Sequence, residues 1–340
     1  MYCCPECFGD RGLRKSIIAL HLVVGKCSYC DSENVPVIEP AKLSDYFETV
    51  ISAYRENAGG KLLVSLFRED WGTFGHPRMD DFRAKDLLAE ILDDREIVRH
   101  TFSPAYGLGV DWVRAWESLR NELMYRNRFF PEVGIDMGWF EAILVDLTLE
   151  LHEVSRAWYR ARIQADDTAF PIGEMRAPPP RKASPGRANP AGIPYLYLGS
   201  KPITAIAEVR PHTGDVVCVA DFTIPDDLRL VDLRAPRRMV SPFLKGDAAE
   251  IGKMRSALPF LERLGDDLTT PILPHAAAID YTPSQYLCEF IKKSTYDGVI
   301  YRSSVSDGIN LALFNPARAI PGSVRQHKVK RVSVDIDPPR

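Results

Sequence analysis

The sequence predicts a multidomain α+β protein. Its parts are an N-terminal Cys4 zinc knuckle (residues 1–38), an α-helical middle domain (39–154), a C-terminal mixed α/β domain (155–325) and a tail (326–340). Three observations carry this. Five of the seven cysteines fall within the first 30 residues. Apolar residues recur at helical spacing through the middle of the chain. Beyond residue 195, short apolar runs alternate with helical segments, as in a sheet with packed helices. The 340 residues suit two or three domains of roughly 100–200 residues each. With 45% hydrophobic and 26% charged residues, a disordered chain, a collagen and a coiled-coil rod are excluded. The longest apolar stretch, around Ala142 to Val145, is cut by Asp146 and Glu150, far short of the roughly 18–20 residues of a membrane span. The first residues, MYCCPECFGD, lack the basic and then apolar regions of a signal peptide, so a cytoplasmic protein with no membrane partner is expected. A net charge of -3 gives no global electrostatic footprint for nucleic acid.

The knuckle rests on two CxxC pairs, Cys4–Cys7 and Cys27–Cys30, separated by 19 residues. That spacing falls within the window for a zinc site. Each CxxC turn points two thiolates to one side, and two such turns complete a tetrahedral sulfur shell. Cys3 could replace Cys4 as a ligand. Four cysteines close the coordination of the metal, so the expected role is structural. The competing reading, disulfides, requires an oxidising compartment. Cys218 and Cys288 lie in apolar contexts and are expected to be buried thiols.

In the middle domain, Leu43, Tyr46, Phe47, Val50, Ile51 and Tyr54 recur at helical spacing, with Ser44 as an N-cap candidate. Leu87 to Leu92 and Val113 to Leu123 mark further helices. Trp139, Ile143, Leu147 and Leu151 mark a longer one, ending near Trp158. Few strand signals appear between residues 41 and 150. Arg95 and His100 form an R-x4-H spacing that supplies an RNA-cleaving pair in some small helical nucleases; a solvated helix end is the blander reading.

Residues 170–194 are rich in proline, glycine and basic residues, the composition of a linker. The flanking segments argue against a passive one. Tyr195 to Gly199 reads as a strand. Lys201 to Val209 opens as a helix, with Ser200 as an N-cap candidate and Pro202 in its first turn. Asp215 to Ile224, Leu228 to Leu233, Val299 to Tyr301 and Leu311 to Phe314 read as strands, and Gln285 to Lys293 as a helix. In the tail, Arg325, Lys328, Lys330 and Arg331 alternate with valines, as in an edge strand protected by charge. No glycine-rich phosphate loop or dinucleotide fingerprint is present.

Three separated segments, YRAR, GRANPAGIPYLYLGSKPITAIAEV and YDGVIYRSSVSDGIN-LALFNP, resemble the RES domain over roughly residues 155 to 320. The N-terminal part is more loosely similar to an extension found on some of these proteins, called a HEPN-associated or RES N-terminal domain. The resemblance implies a fold like the diphtheria-toxin type of ADP-ribosyltransferase. It implies an NAD-consuming enzyme, often the toxin of a bacterial toxin–antitoxin pair, that destroys NAD by phosphorolysis or hydrolysis. Arg160, following Tyr159, matches the family arginine, with Arg162 as a neighbouring alternative. Arg187 lies in Gly186-Arg187-Ala188-Asn189, which keeps the Gly, Arg and Asn of a GGRWN element but lacks its Trp. Tyr197, Glu208, Ser303 (or the adjacent Ser304) and Asn310 match the remaining positions. Tyr281, Thr282 and Gln285, with Ser284, resemble an element of the longer members, although a helix cap is the simpler reading of Thr282 or Ser284.

The residue types suit that chemistry. Arginine forks match the phosphate oxygens of a pyrophosphate. A carboxylate beside the ribose stabilises the positive charge that develops as nicotinamide leaves. The resemblance therefore assigns phosphate binding to Arg160 and Arg187, cation stabilisation to Glu208, and substrate positioning to Tyr197, Ser303 and Asn310. It implies NAD and inorganic phosphate as small-molecule partners and an antitoxin as a protein partner. Two other readings stand beside it. One is transfer of ADP-ribose to a protein or nucleic acid. The other is a zinc-stabilised protein that binds nucleic acid or a partner through residues 1–150, supported weakly by Arg11, Arg14, Lys15 and Lys26.

Overall fold

The structure, a computed structural model, describes residues 1–105, 111–132, 134–273 and 275–333. It divides into two compact units, residues 1–115 with 235–262, and residues 116–234 with 263–340.

In the first unit, Pro5 starts a short helix, Pro5–Phe8, which Gly9 ends at φ 68°. Asp10 caps the helix Arg11–Leu20 by accepting from the Leu13 amide at 2.8 Å, so one of the free amides at the helix start is satisfied. Strands β1 (Val23–Gly25) and β2 (Val35–Val37) pair antiparallel, and the chain between them carries Cys27 and Cys30. The core is aromatic. Phe8, Phe47, Phe67 and Phe74 meet at tilted or stacked angles, and Phe243 lies 4.8 Å from the Phe47 ring.

Two expectations for this region are corrected. The helix over residues 43–54 is shorter, Ser44–Ile51, with Ser44 as its first residue and Leu43 in the cap position. Tyr54 instead opens strand β3 (Tyr54–Leu62), which pairs with β4 (Thr101–Pro104). The sequence concealed β3 because it is polar, glycine-containing and broken by a bulge between Glu56 and Lys61. Gly60 is required there, since a Cβ would sit 2.1 Å from the Phe102 carbonyl oxygen. The longest helix, Ala248–Thr269, had no counterpart in the sequence reading.

The second unit is built on a seven-stranded sheet. Its strands are β5 (Ala157–Ile163), β6 (Leu196–Gly199), β7 (Val216–Thr223), β8 (Leu230–Asp232), β9 (Gly298–Arg302), β10 (Ile309–Leu313) and β11 (Ile320–Lys328). Their order is β11-β7-β5-β6-β10-β9-β8. All pairs are antiparallel except β8–β9. One face buries Trp158, Leu196, Leu198, Phe222, Leu311 and Leu313. The other face receives the helix Pro202–Glu208, whose Ala205 packs with Ala161, Val217 and Val219. Gly199 permits this approach, because a Cβ there would lie 2.8 Å from the Ala205 amide nitrogen.

The long helix expected from Trp139 to Trp158 is also corrected. It spans Met137–Asp146 only. The chain then runs beside β8, where Leu149 donates to the Leu230 carbonyl at 2.8 Å, and Trp158 is a strand residue. The four-residue spacing continued past the helix by chance. Ser200 is not the cap of the Pro202–Glu208 helix; Lys201 holds that position without a side-chain bond. Strand β11 forms one edge of the sheet and carries Arg325 and Lys328. The tail beyond residue 333 lies outside the described residues.

Candidate functional site

Strands β5 and β6 share a single pair, Tyr159↔Gly199. Beyond that pair the ladder between them stops. The Tyr197 carbonyl, freed from a strand partner on that side, accepts from Arg160 Nη1 at 3.4 Å. A cleft of about 290 Å³ opens at this gap. One register row crosses its floor, Tyr159–Gly199–Asn310–Tyr301, with one residue from each of β5, β6, β10 and β9.

The Pro202–Glu208 helix brings Glu208 to this row at its last turn. Ser303 Oγ donates to Glu208 Oε1 at 2.7 Å and Asn310 Nδ2 donates to the same oxygen at 2.6 Å. These two bonds hold the carboxylate in one orientation. Both donors converge on one oxygen, and Oε2 has no hydrogen-bond partner among the described residues.

Arg160 and Arg187 line the same cleft. Neither has a carboxylate ion pair among the described residues. The Arg160 Nε is buried without a hydrogen-bond partner. Burial first, and the nearby Arg162 charge second, draw the Arg160 pKa down to about 10. A cation so placed, with no counterion among the described residues, has the chemistry to receive an anion. Arg187 donates through Nη1 to the Thr270 carbonyl and through Nη2 to Ser304 Oγ at 3.3 Å. The two adjacent serines are thus divided, Ser303 to the glutamate and Ser304 to the arginine. Arg162 binds the Glu174 carbonyl and stacks on Phe170, and does not line the cleft.

Tyr197 is committed to structure. Its hydroxyl donates to Asn189 Oδ1 at 2.7 Å and accepts from the Ala188 amide at 3.0 Å, and burial pushes its phenol up. It therefore braces the 186–189 loop and presents only its ring to the cleft. The residues 170–194 are no passive linker, because this loop carries Arg187. Asn189 donates to the Ser184, Pro190 and Ile193 carbonyls. Ser284 Oγ donates to the Arg187 carbonyl at 2.6 Å, and Gln285 Nε2 to the carbonyls of Gly186 and Asn189. The reading of Ser284 as a helix cap is thereby corrected. Asn189 and Tyr301, which the resemblance does not single out, also build the site; each lies two residues from one that it does, Arg187 and Ser303.

The four cysteines of the first unit are all buried, with their sulfurs within 4.8 Å of one another. Cys4 and Cys30 approach to 3.4 Å, Cys7 and Cys27 to 3.3 Å. All seven cysteines are free thiols. A tetrahedral shell with Zn–S bonds of about 2.3 Å spaces its sulfurs about 3.8 Å apart, so this donor set fits a metal. Cys3 stands outside it, with its thiol on the Ile38 carbonyl. Nearby, Arg14 pairs with Glu6 and Lys26 with Glu33, which neutralises two of the four cations proposed for nucleic acid. Arg95 and His100 take separate carboxylates, Glu90 and Glu56, so the nuclease spacing is spent on ion pairs.

No helix among the described residues is long and apolar enough to cross a membrane. No curated protein matches the chain. Among solved structures, the chain is similar to one from the crystal structure of the M. tuberculosis MbcT–MbcA toxin–antitoxin complex. The identity is 17%, covering 57% of this chain and 94% of that one, with a TM-score of 0.32. Residues 157–336, just over half of the chain, match the family model described as the RES domain. The matched span contains every strand of the large sheet and every residue of the cleft, and the chain belongs to the RES family.

Proposed function

We propose that the second unit cleaves NAD at the nicotinamide–ribose bond and passes the ADP-ribosyl group to phosphate or water. The observation that carries this reading is one cleft holding a glutamate fixed by two donors together with two arginines that have no carboxylate partner among the described residues. The C–N bond breaks with its electron pair going to the nicotinamide nitrogen, which becomes neutral. The ribose carbon then takes an oxygen from phosphate or water; a water proton leaves to solvent. Glu208 faces the positive charge that develops on the ribose, and Arg160 and Arg187 hold the pyrophosphate. Ser303 and Asn310 position the glutamate. Membership in the RES family supports an ADP-ribosyltransferase-like ancestry for the split sheet, a toxin role and an antitoxin as protein partner. The free thiols fit a reducing cytoplasm, and the four-sulfur cluster supports a structural zinc.

The test is NAD loss by the purified full-length protein, with and without phosphate, with products identified by mass spectrometry. Glu208→Gln is expected to lower turnover by roughly 10²–10³; full turnover in that variant would overturn the assignment. A second reading, transfer to a macromolecule, draws on the exposure of Glu208. It predicts that label from adenine-labelled NAD stays on protein or nucleic acid.

A further inference from the structure

The second unit holds another cavity, of about 310 Å³, inside the size range of small-molecule pockets, about 300–1,000 Å³. It is tied to the cleft through the hydrogen bonds of Arg187, a lining residue of the cleft. Thr270 and Ser284 both line this cavity. The Thr270 carbonyl accepts from the Arg187 guanidinium, and Ser284 Oγ donates to the Arg187 carbonyl. One arginine thus stands between two hollows.

The walls of the second cavity differ in character. Pro271, Ile272, Leu273 and Pro283 form an apolar side, suited to the face of a flat ring. Arg120 and Arg263 also line it, but both are already paired with Glu117 and Asp267. Trp116 Nε1 fixes Asp267 at 2.8 Å. Asp280 also lines the cavity and has no ion pair among the described residues. The one unengaged charge is therefore negative. A free carboxylate accepts hydrogen bonds from a ribose diol and repels a phosphate placed on it.

We propose that this second cavity receives the adenosine half of the dinucleotide and selects NAD over its 2′-phosphorylated form. The proposal rests on the reading of the cleft as an NAD site. The pyrophosphate then lies at Arg187, the reacting ribose at Glu208, and the adenosine ribose at Asp280.

The test is calorimetric binding of adenosine 5′-monophosphate and of adenosine 2′,5′-bisphosphate to the full chain. The wild type is expected to bind the monophosphate at least tenfold more tightly than the bisphosphate. Ala276→Trp, which fills the cavity, weakens the monophosphate at least tenfold, and Asp280→Asn narrows the preference to under threefold. No binding at millimolar nucleotide, equal affinities in the wild type, or unchanged binding in both variants overturns the proposal. NAD loss is measured on the same preparations. Turnover without these nucleotide effects sinks the adenosine site alone, and nucleotide effects without turnover sink the cleavage reading alone.

Discussion

At the scale of single residues, the cleft sets a cost against a use. Arg160 is half-buried, with its Nε fully so and no counterion among the described residues, and burial disfavours its charge. Removing that charge relieves the substrate-free protein. Arg160→Met is expected to raise its stability by about 1–2 kcal/mol, a melting shift of a few degrees, while NAD binding is lost. Calorimetric melting with and without NAD checks both halves; a less stable Arg160→Met protein would contradict the account. Ser303→Ala and Asn310→Ala each remove one donor from Glu208 Oε1. About tenfold in kcat is expected for each, with KM nearly unchanged, since a hydrogen bond to a charged group contributes about 1.5–3 kcal/mol. Arg160, Arg187 and Glu208 were singled out by the resemblance rather than by composition or spacing, and the structure brings all three to one cleft. Site residues were illegible where the role is to hold a loop. Nothing in the spacing of Tyr197 and Asn189 says that one hydroxyl joins them, because that contact exists only once the loop has folded back onto β6.

At the scale of elements, the 186–189 loop is a precision part. A Cβ at Gly186 would stand 2.6 Å from both Asn189 Oδ1 and the Tyr197 hydroxyl. Gly186→Ala therefore displaces the loop, and steady-state kinetics are expected to show a higher KM for NAD with a smaller change in kcat. Gln285→Ala removes two bonds to the same loop and should act in the same direction. An unchanged KM in both variants would separate the loop from substrate binding. Strands β6 to β10 were readable because each is a short apolar run bounded by turns; β5 was not, since Arg160 and Arg162 interrupt it, and of β11 only the charged end was. The β3–β4 pair was not readable, because its pairing depends on a bulge and on Gly60 packing against backbone. Trp158 was assigned to a helix because a spacing of four carries no information about where a helix stops; the change of partner at β8 decides that.

At the scale of the whole molecule, the cysteine cluster and the cleft belong to different units. The purified protein is expected to carry one zinc per chain by elemental analysis. Cys30→Ala, or a strong chelator, should remove it and speed amide hydrogen exchange across residues 1–38, a stretch too short to bury a stable core of its own. Unchanged exchange in the metal-free protein would show that the aromatic core suffices. The cleft has another consequence, in time. Glu208 is 95 residues from Ser303 and 102 from Asn310 along the chain. At roughly 5–20 residues per second of synthesis, the glutamate leaves the ribosome about 5–20 s before the residues that aim it. Until β9 and β10 emerge, a nascent chain has the arginines and the carboxylate but only the Tyr159–Gly199 half of the register row, so the charges of the cleft are made well before the strands that hold them in place.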